Sequence, residues 1–227
     1  MTIYLSPSDL AFLYEQSKWG FYNKYKNGIK RPNFTMPKIF NIIDSLIKQK
    51  YLNQNLSTID PSLPDAIVTS ANNWVVSREI CNESYPDLKV QIRGIIDGVF
   101  EYPDKSYAIV DFKTSEINPE YLDKYKLQLN AYSYSVTYPE NSKKFTLPSL
   151  KNTGLLVFQP DNFEVQDNKA NLSGQFKWVE FELDLIGFEN FVKEEIIPLL
   201  SGKEPTPDKS DPQWEYLLQF GFSFEEE

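Results

Sequence analysis

The chain has 227 residues, of which 41% are hydrophobic, and a formal net charge of −9. This is enough apolar material for one sizeable core, and no run approaches the roughly 18 apolar residues that a membrane-spanning helix needs. Histidine is absent and there is one cysteine, so the sequence excludes serine–histidine triads, histidine-ligated zinc, an intrachain disulfide and a chain-held iron–sulfur cluster.

The residue types also limit the chemistry and the location. Hydrolytic chemistry would have to use carboxylates, lysine, tyrosine or a hard, oxygen-binding metal ion. The N-terminal stretch MTIYLSPSDL lacks the basic start and apolar run of a signal peptide, so we expect a cytoplasmic protein. Cys81 is expected to be a small buried apolar residue.

Charge is distributed unevenly. Residues 16–50 contain eight basic residues and one acidic residue, a balance of +7, and the rest of the chain carries −16. Aromatic residues (Trp19, Phe21, Tyr22 and Tyr25) alternate with the first lysines of this stretch. Such a pattern suits a segment that follows phosphates and stacks on bases. A solvated helix surface with aromatic residues in the core explains it equally well.

Two helices are predicted in the N-terminal part. The first is SPSDLAFLYEQSKWGFYNKYKNG, which Ser6 or Ser8 can cap and Asn27-Gly28 ends. Its apolar positions follow a helical period: Leu10, Leu13, Tyr14 and Phe21. The second is MPKIFNIIDSLIKQKYL, for which we expect four inward side chains: Ile39, Ile43, Leu46 and Ile47. Residues 51–73 are polar and predict a loop with short elements.

The rest of the chain alternates strands and helices. The strands KVQIRGIIDGVFEY and SYAIVDFKTS flank a turn at PDK, and PEYLDKYKLQLNAYSYSV is the next helix. The strands GLLVFQ and KWVEFEL and the helix LIGFENFVKEEIIPLL follow. This order predicts an α/β fold, with a central mixed β-sheet flanked by helices. We expect a single domain over 1–227, with a basic helical part (1–60), a catalytic core (88–200) and a proline-rich acidic tail (201–227).

The two central strands predict an acidic pair. In a hairpin centred on Asp104, opposite residues have numbers that sum to 208, so Asp97 faces Asp111 with Cβ atoms about 4.5–5.5 Å apart. Lys113 shares a strand face with Asp111, whereas Phe112 points to the opposite face. Like charges that face each other need a cation between them, which Lys113 or a divalent metal ion can supply. Alternatively, the two aspartates face solvent and Lys113 is their salt-bridge partner.

The motifs in this region resemble those of the PD-(D/E)XK nuclease superfamily, in its RecB-like branch. That branch includes CRISPR adaptation nucleases and phage exonucleases, and it reads G-x-x-D, then D-x-K-T on the next strand, then Q-x-x-x-Y on a helix. The chain has all three motifs in order: Gly94 with Asp97; Asp111 with Lys113 and Thr114; Gln128 with Tyr132. The resemblance implies a restriction-endonuclease-like core.

The resemblance also implies roles for these residues. Asp97, Asp111 and the backbone carbonyl of Phe112 would hold Mg²⁺ or Mn²⁺, which activates water and neutralises charge on the phosphate. Lys113 would orient the attacking water or stabilise the developing negative charge. Gln128 and Tyr132 lie four residues apart on one helix face, where they would bind DNA phosphate or position Lys113. The alternative for this pair is a tyrosine-rich packing surface with a solvated glutamine.

The chain departs from the family pattern in two places. Many relatives have a histidine ligand on an early helix, and Asn41, a weaker metal ligand, is near that position here. A further acidic ligand could be Glu79 or Glu83, and the sequence does not choose between them. Some relatives bind an iron–sulfur cluster through four cysteines, which this chain lacks, so its tail is expected to close the fold by packing Trp214, Tyr216 and Leu217.

These observations predict a metal-dependent DNA nuclease. The resemblance favours an exonuclease that acts on DNA ends in recombination, repair or phage DNA processing, with a recombinase or helicase as a possible partner and no role for a membrane. One alternative is a catalytically inactive module of the same fold that binds DNA or scaffolds a helicase or recombination partner. Another is an acidic interaction protein, which does not explain the basic segment.

Overall fold

The computed structural model describes residues 1–29, 37–141, 145–207 and 211. Its strands form one mixed sheet: β1 (Thr2–Leu5), β2 (Ile67–Val76), β3 (Ile80–Cys81), β4 (Lys89–Glu101), β5 (Tyr107–Thr114), β6 (Leu150–Gln166) and β7 (Lys169–Phe181). The order is β1–β4–β5–β6–β7, and β2 and β3 also pair with β4. The β1–β4 and β5–β6 pairs are parallel and the others antiparallel. With helices on its faces, this sheet confirms the predicted α/β class and matches a restriction-endonuclease-like core.

The helical segments are as follows: α1 (Asp9–Leu13 and Tyr14–Gln16), α2 (Lys18–Tyr22 and Asn23–Asn27), α3 (Lys38–Tyr51), α4 (Leu122–Thr137) and α5 (Leu185–Phe191, Val192–Ile196 and Ile197–Ser201). Short 3₁₀ turns lie at Leu56–Thr58 and Pro119–Tyr121. The first predicted helix is broken at Ser17, whose backbone is extended and whose Oγ accepts a hydrogen bond of 2.9 Å from Gly20 N. Gly28 ends α2 in the left-handed region (φ 69°), as the sequence predicts.

Helices α3 and α4 cover opposite faces of the central strands. Leu129 of α4 belongs to the same buried cluster as Ile109 of β5. Tyr51 of α3 belongs to another cluster with Val110 and Phe112 of β5. The predicted alternation of β5 is therefore confirmed for its apolar residues, and the strand is buried on both faces.

The N-terminal helices pack with α5 into a third cluster. Leu10, Phe21 and Tyr134 are fully buried there together with Val192. Trp19 is also buried, at 5% exposure. Trp19 and Phe21 are thus core residues, which favours the second explanation of the basic aromatic stretch over base stacking by these two rings.

Several strands differ from the prediction. Strand β1 was not predicted, and β2 begins at Ile67, within the region predicted as a loop. Strands β6 and β7 are longer than predicted because they continue as an exposed hairpin, whose turn residues Asp167 and Asn168 have φ of 49° and 64°. The hairpin residues are held by pairing with each other, so no burial pattern marks them in the sequence.

The predicted inward face of α3 was only partly right: Ile47 is partly buried and packs against the core, and Ile43 is half-buried. Ile39 and Leu46 are 54% and 58% exposed, whereas Lys48 and Tyr51 are buried. Tyr51 packs in the core and Lys48 makes ion pairs, so these two side chains set the rotation of the helix. The burial of Cys81 was also wrong: in two-residue β3, Ile80 faces inward and Cys81 outward.

Some predictions concern residues outside the described ranges. Lys30 and Arg31 of the basic stretch lie there, as do Trp214, Tyr216 and Leu217 of the tail. Within the described ranges, none of the helices has the length and apolar character that crossing a membrane requires.

Candidate active site

The β4–β5 hairpin has the predicted register. Glu101 pairs with Tyr107, Val99 with Ile109 and Gly98 with Val110, so that paired numbers sum to 208. The pairing ends one position before Asp97 and Asp111. Beyond this point β4 continues along β2, and β5 continues along β6. The two aspartates therefore lie where the strands stop pairing, and side chains can enter between the backbones.

Asp97 connects groups from both strands and from α3. Its Oδ2 accepts a 3.3 Å hydrogen bond from the backbone N–H of Phe112. Its Oδ1 lies 2.8 Å from Nζ of Lys48, in a salt bridge and hydrogen bond. The Asp97 side chain is 25% exposed. One oxygen is thus held by the β5 backbone and the other by a lysine from the opposite side of the sheet.

Asp111 is the most buried carboxylate of the site, at 6% residue exposure. Its Oδ2 lies 2.6 Å from Lys113 Nζ, yet the contact lacks hydrogen-bond angles and this buried oxygen accepts no hydrogen bond. Burial raises the pKa of Asp111 to about 6; the Lys113 ammonium opposes this rise, and the neighbouring Asp97 carboxylate adds to it. The influence of Asp97 on this pKa agrees with the predicted proximity of the two acids.

Lys113 lies beside the pair, as the strand alternation predicts. Its side chain is 29% exposed, and Nζ is 5.4 Å from the centroid of the Tyr125 ring. Burial lowers the pKa of Lys113, but the negative charges of Asp111 and Asp97 outweigh it, so the pKa is raised and the ammonium form persists. The site thus has a fixed positive charge at its α4 side.

Gln128 and Tyr132 lie on α4, the helix that faces this side of the sheet. Gln128 is buried, so it is not the solvated residue of the alternative explanation. The pKa of Tyr132 is raised to about 12, first by burial and then by the charges of Asp111 and Asp97. A Cβ atom at Gly94 would come within 3.0 Å of Tyr132 Cε1, so the glycine of the first motif makes room for the tyrosine of the third.

Lys48 is a residue of the site that the sequence did not predict. Asn41, the candidate metal ligand that the sequence analysis placed on this helix, is exposed. It precedes Lys48 by seven residues, which is about 10 Å along the helix. Lys48 also pairs with Asp44 one turn earlier, at 2.9 Å. Burial lowers the pKa of Lys48, but Asp97 and Asp44 together raise it. The only sequence signal for Lys48 was this i,i+4 ion pair, which is common on solvated helices.

The other acidic candidates are placed elsewhere. Glu79 lies 2.6 Å from Lys89 and accepts a hydrogen bond from Thr2, so it belongs to the β1 end of the sheet. Glu83 is exposed in the turn that follows β3. Among the residues that the structure describes, no group of three or more histidine, cysteine, aspartate or glutamate side chains is arranged to hold a metal ion. The acidic donors of the site are therefore the two aspartates.

This donor set fits a hard divalent cation. The buried Asp111 Oδ2 lies 2.6 Å from the Lys113 ammonium and accepts no hydrogen bond, so a cation that binds there would share this oxygen with Lys113. Mg²⁺ and Mn²⁺ bind through one or two carboxylates and keep several water ligands, so two aspartates are sufficient. Zinc prefers nitrogen and sulfur ligands, and the chain has no histidine.

Comparisons with known proteins give partial similarities. No family model matches the chain. An ATP-dependent helicase/nuclease subunit of Clostridium perfringens is 30% identical over 101 residues, which cover 42% of this chain and 8% of that protein. The protein of the same name from Clostridium botulinum (strain Loch Maree) is 28% identical over 128 residues, 56% of this chain and 9% of that protein. The matches therefore span less than a tenth of the length of these curated relatives.

A solved structure, that of SSO0001, aligns with 88% of this chain and 77% of its own. Its TM-score is 0.43 and its sequence identity 14%, which is too distant to indicate function. The sequence similarities together indicate a distant relationship to a helicase/nuclease protein.

Proposed function

We propose that the protein is a metal-dependent DNA nuclease, a RecB-like member of the PD-(D/E)XK superfamily that acts as an exonuclease on DNA ends. One observation supports this most strongly. Two aspartates lie at the point where neighbouring strands stop pairing, with a lysine on the same strand 2.6 Å from the more buried acid. The motif order and the distant relationship to helicase/nuclease subunits point to the same class.

Asp97, Asp111 and the Phe112 carbonyl would hold Mg²⁺ or Mn²⁺. When bound, the ion would lower the pKa of a water molecule and neutralise charge on the scissile phosphate. Asp97 is oriented by the Phe112 N–H, and Phe112 is anchored in the core by its ring. Core packing of the Phe112 ring therefore fixes the backbone N–H that orients Asp97.

Lys113 would act on the phosphate or on the attacking water. Its raised pKa keeps it protonated at neutral pH, so it would stabilise negative charge rather than accept a proton. Tyr132 also stays protonated, and its hydroxyl would donate a hydrogen bond to a phosphate oxygen, with Gln128 beside it. All three groups lie on the α4 side of the two aspartates.

The relatives combine the words helicase and nuclease in one name, and this chain matches less than a tenth of their length. We therefore include in the proposal a helicase or recombinase as a partner in DNA processing. Co-purification of the chain with such a protein, increased by linear DNA, is the expected result.

Cleavage of end-labelled linear and closed circular DNA tests the main proposal. With Mg²⁺ or Mn²⁺, wild-type protein should degrade the linear DNA and leave the circle intact. Asp111→Ala and Lys113→Ala should each reduce the rate at least a hundredfold, since each removes a charge at the reacting groups. Asp104→Ala and Lys105→Ala, in the exposed turn of the same hairpin, are the matched controls and should retain the rate.

One observation favours the inactive module as a second candidate. Asp97 already contacts Lys48, and Asp111 contacts Lys113. The charges of these two ion pairs therefore balance without a metal ion. A module of this kind would bind DNA equally well with and without Mg²⁺ and would leave linear DNA uncut. Persistence of the full cleavage rate in Asp111→Ala and Lys113→Ala would instead show that the assigned site is wrong.

A further inference from the structure

Lys48 contributes a positive charge to the site, although it lies outside the three sequence motifs. It comes from α3, which packs on the face opposite to α4, and its Nζ is 2.8 Å from Asp97 Oδ1. The Lys48 side chain is only 10% exposed, although its residue type is usually solvated. Nothing in the three family motifs requires a lysine at this place.

The position of Lys48 is fixed by further contacts. Asp44 lies 2.9 Å from Nζ on its other side, and the ring centroid of Phe112 is 5.9 Å away. An ammonium group with two carboxylate partners and an aromatic ring beside it is costly to move, because the charges would be left unpaired. The Asp97 oxygen that faces α3 is thus occupied by the protein itself.

The charge balance of the site bears on how many metal ions it accepts. Asp44, Asp97 and Asp111 carry three negative charges, and Lys48 and Lys113 carry two positive charges. One divalent cation changes the sum from −1 to +1, and a second would raise it to +3. Binding of a second ion is therefore opposed by the net charge as well as by the occupied oxygen.

We propose that Lys48 occupies the place of a second metal ion and limits the site to one divalent cation. The inference rests on the proposed function, because it assumes that Asp97 and Asp111 bind a metal ion. In this arrangement Lys48 supplies at Asp97 the positive charge that a second ion would bring. It is a residue that determines metal stoichiometry and not a fourth member of the motif.

Calorimetric titration and electron paramagnetic resonance with Mn²⁺ test this proposal. Wild-type protein should bind one Mn²⁺ per chain and show the six-line signal of an isolated ion. Lys48→Met keeps the length of the side chain and removes its charge, so it should bind two ions and show the spin coupling of a pair. Lys48→Arg, which retains the charge, should bind one.

Lys50→Met is the matched control. Lys50 lies on the same helix and is exposed, so the substitution removes the same charge without removing a contact to Asp97. It should bind one Mn²⁺ with an affinity within twofold of wild type. This control separates the occupancy of the Asp97 oxygen from a general change in the charge of α3.

Each alternative result has a distinct meaning. A wild-type chain that binds two ions would overturn the role of Lys48 and leave the nuclease proposal intact; this test holds even if Lys48→Met does not fold. If Lys48→Met binds a single ion tenfold more tightly and no second ion, Lys48 competes with the first metal ion. This result would also overturn the proposed role of Lys48. Absence of Mn²⁺ binding in every folded variant would overturn both proposals.

Discussion

Asp111 connects the electrostatics of the site to pH. Its pKa is raised to about 6, above the usual value of 3.8, mainly because burial disfavours the charged form. A metal ion needs the deprotonated carboxylate, so protons compete with the ion below pH 6. We expect Mn²⁺ affinity to be nearly constant above pH 7 and to fall about tenfold for each pH unit below 6. Calorimetry at several pH values measures this, and an affinity that stays constant down to pH 4.5 would contradict it.

Gly94 controls the position of Tyr132. In Gly94→Ala the new Cβ would lie 3.0 Å from Tyr132 Cε1, so the ring has to move by a few tenths of an ångström. We expect the cleavage rate to fall roughly tenfold, because small displacements of positioned groups reduce rates steeply, while stability changes by only about 1 kcal/mol. Gly202→Ala, in which the nearest atom is Pro198 O at 3.2 Å, is a control remote from the site. Full activity of Gly94→Ala would contradict the positioning role of Tyr132.

The residues of the site were only partly predictable. Asp97, Asp111 and Lys113 were predictable because strand alternation and one turn centre fix which side chains meet. Lys48 was not, since it reaches Asp97 across 49 positions of sequence and its placement depends on how α3 packs. Local sequence patterns do not show contacts between residues that are so far apart in the sequence.

At the scale of elements, the β6–β7 arm is the most independent part of the fold. Residues beyond the Gln159–Gln175 pair are mostly exposed, and Phe163 and Val165 are 65% and 71% exposed. We expect replacement of residues 160–174 by an Asn-Gly turn to change the melting temperature by less than about 3 °C, because little buried surface is lost. Thermal unfolding measures the effect, and the cleavage rate should be unchanged. A loss of the folded state would contradict the independence of the arm.

The elements show where sequence patterns are informative. Helices α4 and α5 were predicted within a few residues. The apolar period of α5 corresponds to real burial, whereas α4 buries several polar side chains, among them Gln128 and Asn130. The inward face of α3 was predicted only in part, because its apolar residues outnumber the positions that the sheet covers. Exposed Ile39 and Leu46 carry the same pattern as buried residues, and only the tertiary contacts of Tyr51 and Lys48 distinguish the two faces.

For the whole molecule, metal binding should be coupled to stability. The folded state brings Asp97 and Asp111 together and the unfolded state does not, so a bound ion favours the folded state. At a Mn²⁺ concentration one hundred times the dissociation constant, the gain is about 2.7 kcal/mol, or roughly 5–10 °C in melting temperature. Differential scanning fluorimetry measures this shift, and Asp97→Asn should abolish most of it. An equal shift in Asp97→Asn would place the bound ion elsewhere.

The net charge of the molecule was a weaker guide than its distribution. The basic stretch over residues 16–50 suggested a surface for nucleic acid, yet Lys24 pairs with Asp9 at 2.6 Å and Lys48 with Asp97. Part of the local excess is thus neutralised by acids distant in sequence. Charge counts along a chain do not show which charges remain available to a partner.

The alternation of β5 also restricts how the hairpin can change in length. One residue inserted between Tyr107 and Asp111 would turn the Phe112 ring toward α4 and the Asp111 carboxylate toward the apolar layer under α3. Two inserted residues would restore both directions. This rule does not apply to the turn around Asp104, so we expect natural variation in loop length there. Within β5 itself, we expect insertions and deletions of even numbers of residues only.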